Sequence, residues 1–386
     1  IRHPNAFYLR TRQRGMQNWD GKIHYITKTG QFKIGLLPKV YDMCIEMGIK
    51  PKVVDMRQPL PKVSKVVTNI GKYKLRPEQE KAVKAVINNK IGNTPFHIGV
   101  LDYTVNAGKT LIMSSLYLSY KKQLKTLLIT NDSDWLNQAR EEFKQYLPGE
   151  DITFVQGKVL NWSNFTIGMV QSISRNMRFY QKELSQIDMV LVDEADQGGS
   201  KQYQNVITRL FNTRIRIGLS GTIYMSKLAK DKVKNMNLEC FFGKVIAEFK
   251  LKDSIKKGYS TKTVVKMVPG KPWYGNWESD CISYKEIYDD SITNCYTAWL
   301  MAYNRLLWNL NQGRYPALVV CKHIAHCENL YKFFKKKLGD AYNIAYVHVN
   351  TPSKLRQQIM KDFREGKIDI LVSTTIIARG KNFPKL

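Results

Sequence analysis

Two short clusters in the sequence carry groups that could handle a phosphate ester. Val105-Asn106-Ala107-Gly108-Lys109-Thr110 offers a loop, a cation and a hydroxyl, and Asp193-Glu194-Ala195-Asp196 offers a pair of adjacent carboxylates. Lys109 would set a point charge on the β- and γ-phosphates of a nucleotide, while the Thr110 hydroxyl and the Asp193 carboxylate would hold Mg²⁺. Glu194 would orient and deprotonate the attacking water. The strict phosphate-loop pattern, G-x-x-x-x-G-K-[ST], asks for glycine where this chain has Tyr103.

Such groups work only if the elements around them aim them at one point. The apolar run Ile98 to Leu101 leads into the loop, and the apolar stretch Leu111 to Tyr120 leads out of it. A strand end joined to a helix start points successive backbone N–H groups, and the positive end of the helix dipole, at a bound anion. The acid pair follows a second buried-strand pattern, Asp188 to Val192. From Phe96 to about Phe249, strand and helix patterns alternate, with strands at Thr126 to Thr130, Ile167 to Val170 and Ile215 to Leu219. This alternation predicts an α/β fold, a parallel sheet covered on both faces by helices. Ligands of such sheets bind at the carboxyl ends of the strands, where Lys109, Asn131, Gln171, Asp193 and Ser220 all fall.

The flanks divide the chain further. Residues 1–70 read as a small separate unit: strand patterns at Phe7 to Arg10, Lys22 to Ile26 and Lys33 to Leu37, then a helix from Pro38 to Met47. Its basic residues, Arg12 among them, are interleaved with aromatics such as Trp19, as on a face that meets phosphates and stacks on bases. Residues 71–250 form the first α/β unit. Residues 251–315 form a connector with a strand at Thr263 to Met267, an aromatic loop at Trp273 to Trp277 and a long helix from Ser283 to Asn311. That loop is either a strand-separating wedge or packing. Residues 316–386 restart the alternation without a phosphate loop or acid pair, so the nucleotide is expected at the interface of two similar sheets.

The charge total narrows the partner. Lys and Arg number 61 against 32 acids, a net +29, which favours a polyanion. A membrane is the poorer choice, because no run of 18 apolar residues is present and no leader sequence is expected. Six cysteines without a C-x-x-C pair read as reduced thiols of a cytoplasmic protein, and the Cys321 to Cys327 stretch does not have the usual zinc spacing. Because numbering starts at Ile1, the sequence is expected to be part of a longer product.

Taken in order, these segments resemble the helicases and translocases of superfamily 2. Leu75-Arg76-Pro77-Glu78-Gln79 is similar to the Q motif, Ala107 to Thr110 to motif I and Leu127 to Gln138 to motif Ia. Val170-Gln171-Ser172 is similar to motif Ib, Asp193 to Asp196 to motif II, and Ser220-Gly221-Thr222 to motif III. Ala317 to Cys321 resembles motif IV, and Asp362 to Thr375 with Ala378-Arg379-Gly380 resembles the stretch through motif V. Trp19-Asp20-Gly21-Lys22-Ile23 and Gly35-Leu36-Leu37-Pro38 resemble the small N-terminal domain of phage UvsW-type recombination helicases.

The resemblance implies two RecA-like lobes in tandem behind a small α+β N-terminal domain, ATP and Mg²⁺ as cofactors, and branched or duplex DNA as partner of a monomeric motor. Arg76 and Gln79 would read adenine, Asn106, Ala107, Gly108 and Gly380 would line the nucleotide, and Ser220 and Thr222 would couple its state to the track. Asn131, Gln171 and Thr374, with Arg12 and Trp19, would touch DNA, mainly through phosphates. The pattern departs from the family at Val349 and Asn382 and stops before the arginines of motif VI, so poor ATPase activity is expected of this stretch alone. An RNA helicase and a junction-binding scaffold that does not travel are the competing readings.

Overall fold

The computed structural model describes residues 1, 6–12, 18–120, 123–157, 159–223, 229–262, 264–267 and 283–377. Two compact units emerge, Ile1–Thr263 and Val264–Leu386. The first is built on eight strands: β1 (Ile98–Tyr103), β2 (Thr126–Thr130), β3 (Ile152–Gln156), β4 (Val159–Leu160), β5 (Phe165–Met169), β6 (Met189–Asp193), β7 (Ile215–Ser220) and β8 (Val245–Phe249). Their order across the sheet is β8-β1-β7-β6-β2-β5-β3-β4. Every neighbouring pair is parallel except β3 and β4 at the edge.

Strand residues alternate between two cores. Leu101, Leu128, Met189 and Leu191 enter one, and Val100, Leu127, Ile129, Val190 and Val192 enter the other. Because side chains alternate faces along a strand, a run that is apolar at every position can be buried only between two helical layers. The register then aligns the working ends: Asp193 stands opposite Leu219, and Ser220 opposite Asp102.

The second unit has three parallel strands, β9 (Ala317–Cys321), β10 (Ile344–Val347) and β11 (Ile370–Thr374), in the order β9-β11-β10. Helices Ile324–Leu338 and Ser353–Glu365 supply separate clusters of apolar side chains to it. A parallel α/β arrangement is therefore present in both units, as the alternation predicts.

Local expectations are corrected in the N-terminal segment and in the connector. Phe7 to Arg10 lies in a helix, Ala6–Arg12, in place of a strand. Ala6 is buried while Phe7 and Tyr8 are exposed, and the Thr11 hydroxyl donates back to the Phe7 and Tyr8 carbonyls. Four residues are too few for alternation to distinguish the two periods. Of the rest of the small sheet, the described residues show an isolated bridge between Ile26 and Phe32 and no extended ladder. Residues 18–70 share one compact unit with the large sheet: Leu36 is buried in its core, Tyr25 Oη donates to Asn237, and Lys39 pairs with Glu239 at 2.8 Å.

Residues 264–267 form no strand; Val264, Val265 and Met267 are exposed, with no ladder partner among the described residues. The long helix is broken into Tyr284–Tyr288, a wide turn Asp289–Thr293 and Tyr296–Asn311. The interruption carries Asp289, Asp290, Ser291 and Thr293, whose short polar side chains compete with the helix for backbone hydrogen bonds. The Trp273 to Trp277 loop lies outside the described residues.

Candidate nucleotide site and nucleic-acid track

The phosphate loop is held open by unusual backbone. Asn106 and Gly108 both have left-handed dihedrals, φ 64° and 74°, and Gly108 caps the helix Lys109–Ser119. Left-handed residues on either side of Ala107 turn backbone N–H groups toward the inside of a concave loop. Glycine is required at 108 for space as well as for φ, since a Cβ there would stand 2.2 Å from Gln79 Nε2.

Gln79 and Arg76 hold this loop from behind. Gln79 is 1% exposed; its Nε2 donates to the Ala107 carbonyl at 2.8 Å, and its Oε1 accepts the Arg76 backbone N–H at 2.8 Å. The Arg76 guanidinium donates to the Asn106 carbonyl at 3.0 Å and lies 4.3 Å from the Tyr259 ring centroid. The departure at Tyr103 is also explained. Its ring is fully buried, and its hydroxyl donates to the Glu78 carbonyl at 2.8 Å, joining the same segment to the strand below the loop.

At the end of β6, Asp193 is 3% exposed, and its Oδ1 is buried without a hydrogen-bond partner among the described residues. Burial pushes its carboxyl up to about 6; the Lys109 ammonium opposes this and the Glu194 carboxylate adds to it. Glu194 takes a left-handed φ of 51°, a strained conformation for this residue type. An unsatisfied buried carboxylate oxygen that feels a nearby lysine is a fitting donor for a divalent cation. Thr110 opens the helix beside Lys109, so Thr110 and Asp193 are the residues that would hold Mg²⁺.

The acid segment is connected to its neighbours through side chains. Ser220 Oγ donates to Asp196 at 3.4 Å, shares a 3.3 Å contact with the Thr222 hydroxyl and accepts the Thr222 N–H. Asn131 Nδ2 donates to Gln197 at 3.2 Å, and Gln171 Nε2 donates to the Asn131 carbonyl at 3.4 Å. Gln197 was missed by sequence reasoning, as was Tyr259 under Arg76. Each lies far along the chain from its partner and in no spacing pattern that would single it out.

The remaining predicted residues are dispersed. Thr374 ends β11 in the second unit and is mostly buried. Arg12 is the last residue of the first helix. Trp19 spends its indole N–H on the Lys22 carbonyl in a tight turn, where Asp20 also accepts the Lys22 N–H and Gly21 has a φ of 75°. The Gly35 motif is likewise structural, because a Cβ there would stand 2.1 Å from the Glu239 carbonyl oxygen. Gly380 lies outside the described residues.

Residues 72–225 match the family model "Type III restriction enzyme, res subunit", and residues 300–386 match "Helicase conserved C-terminal domain". Among curated relatives, the ATP-dependent RNA helicase RhlB of Shewanella woodyi is 36% identical over 78 residues, 20% of this chain and 17% of that protein. The competence protein ComFA of Bacillus subtilis is 22% identical over 281 residues, 72% of this chain. The chain spans only 17% and 53% of these two relatives. A solved structure of T4 UvsW aligns over all of this chain and 76% of its own, at 19% identity and a TM-score of 0.51. S. cerevisiae Dbp5 bound to RNA and ADP BeF3 aligns over 81% of this chain and 73% of its own, at 16% identity and a TM-score of 0.54.

Proposed function

The chain belongs to superfamily 2 of the helicases, and on that premise we propose that it converts ATP hydrolysis into movement along DNA, remodelling branched duplexes in recombination, repair or replication of a phage. The observation that supports the nucleotide chemistry most directly is the buried, unpartnered Asp193 oxygen at a strand end, within reach of the Lys109 charge. Mg²⁺, when bound, would offset the charge that develops on the transferring phosphoryl group.

The protein's own part is positioning. Lys109 and the loop amides grip phosphate, Thr110 and Asp193 hold the cation, and Glu194 takes the proton of the attacking water. Arg76 and Gln79, proposed from the sequence to read adenine, spend their side chains here on the Asn106 and Ala107 carbonyls and on the Arg76 N–H, so their part is to tie their own segment to the phosphate loop. Ser220 and Thr222 pass the state of the acid segment along their hydroxyl contacts. Asn131, Gln171 and, in the second unit, Thr374 meet the nucleic-acid backbone, as do Arg12 and Trp19. The net charge of +29 supports a sequence-independent grip.

An RNA-directed motor is the second reading, favoured by the likeness of residues in this chain to RhlB. ATPase stimulation by a synthetic four-way DNA junction against single-stranded RNA, with branch migration measured alongside, separates the two. Stimulation by RNA alone, with no movement of the junction, would overturn the DNA assignment.

A further inference from the structure

An arginine occupies a strand position where the pattern expects an apolar residue. Arg216 is the second residue of β7, paired in register with Ile98 and Val190, and is 7% exposed. Its Nη1 makes one long bond, 3.4 Å, to the Phe241 carbonyl, while its Nε is buried without a partner. Among the described residues no carboxylate pairs with it. Arg57, the charged side chain that faces it, is itself paired with Asp55 at 2.8 Å, and Asp55 also serves Arg214 at 3.4 Å. Burial pushes Arg216 down to about 10, which leaves it charged at neutral pH. A buried cation with no counter-charge is costly unless something supplies one.

Arg216 lines a cavity of about 240 Å³ that also contains Lys33 and Arg57 and, among the described residues, no acidic side chain. Its other walls include Phe32, Ile34 and Phe241, with Phe211 also in the lining and 67% exposed. The cavity lies toward the amino end of β7, four residues or roughly 13 Å of strand from Ser220, so it is separate from the phosphate loop. Three cations and an apolar lining fit a ligand with one anionic group and a compact apolar body. The planar guanidinium fork of Arg216 matches a carboxylate, and the largely apolar remainder of the lining, Phe32, Ile34, Leu210 and Phe241 among it, suits an apolar body attached to that carboxylate.

We propose that this cavity binds a carboxylate carried on an apolar group, either a free small acid or the terminal residue of a polypeptide, with Arg216 as its counter-charge. Calorimetric titration of the whole chain tests this with 3-phenylpropionate, its amide, inorganic phosphate, and a tetrapeptide ending in phenylalanine with free or amidated terminus. Each acid should bind at least about ten-fold more tightly than its amide, the size expected of one charge-assisted bond. Arg216→Met should erase that preference while the protein stays folded, because it removes an uncompensated charge and keeps the apolar volume. Phe211→Ala should weaken both acids several-fold without altering the charge. A tighter peptide assigns the site to a chain terminus, and equal affinities assign it to a small acid. No preference for acid over amide, a preference that survives Arg216→Met, or phosphate binding as tight as phenylpropionate (an adventitious ion only) would each overturn the proposal.

Discussion

Replacing Asp193 by asparagine should change how stability depends on pH, and the size of the change follows from the burial of one carboxylate. The folded protein raises this group from 3.8 to about 6. Below 3.8 both folded and unfolded chains hold the proton, so the group contributes nothing. Between the two values the unfolded chain releases its proton first, so stability is lost as pH rises. Above about 6 the loss is complete and constant. From about pH 4.5 to about pH 7.5 the shift amounts to roughly 1.5 units, or about 2 kcal/mol of lost stability. Asparagine does not titrate. Denaturant unfolding of the metal-free protein and of Asp193→Asn, measured across this range, should therefore show a stability difference that moves in the variant's favour by about 2 kcal/mol as pH rises. Using the change in the difference removes any constant effect of the substitution itself. Adding Mg²⁺ with ADP should reverse the trend, since the cation supplies the missing counter-charge only to the carboxylate. A difference that stays flat from low to neutral pH would refute the account of Asp193 as a buried group awaiting a cation.

Other perturbations test the remaining parts of the site. Lys109→Ala should abolish ATP-dependent unwinding while leaving salt-sensitive nucleic-acid binding intact; unchanged strand separation by that variant would remove the phosphate-loop assignment. Gly108→Ala should destabilise the loop by about 1–3 kcal/mol, through a left-handed φ of 74° and a collision with Gln79, and thermal melting with nucleotide titration should report both losses. Ser220→Ala breaks the contacts to Asp196 and Thr222, so basal ATP turnover should survive while its stimulation by nucleic acid falls; equal loss of both would point to a purely structural role.

Much of this protein is readable in one dimension. Apolar runs such as Met189 to Val192 declare a strand buried on both faces, and their alternation with helices leaves few options besides a parallel sheet. Lys109, Thr110, Asp193 and Glu194 could be named because each sits within a few residues of the strand end that positions it. Short, weakly patterned stretches were less legible: Phe7 to Arg10 and the 264–267 segment depend on which surface covers them, and their own residues do not specify it.

Tertiary structure decided what depends on residues distant in the chain. Gln79 supports the loop because the helix Pro77–Ile87 packs against the one that begins at Lys109, and Arg76 is steadied by Tyr259, more than 180 residues later. Arg216 looks like one more basic residue among 61 until the sheet buries it. Sequence determines which groups are available and the period of the elements that carry them. Desolvation, counter-charge and close approach arise only when those elements pack, and in this protein they set the proton affinity of Asp193 and leave Arg216 without an acid among the described residues.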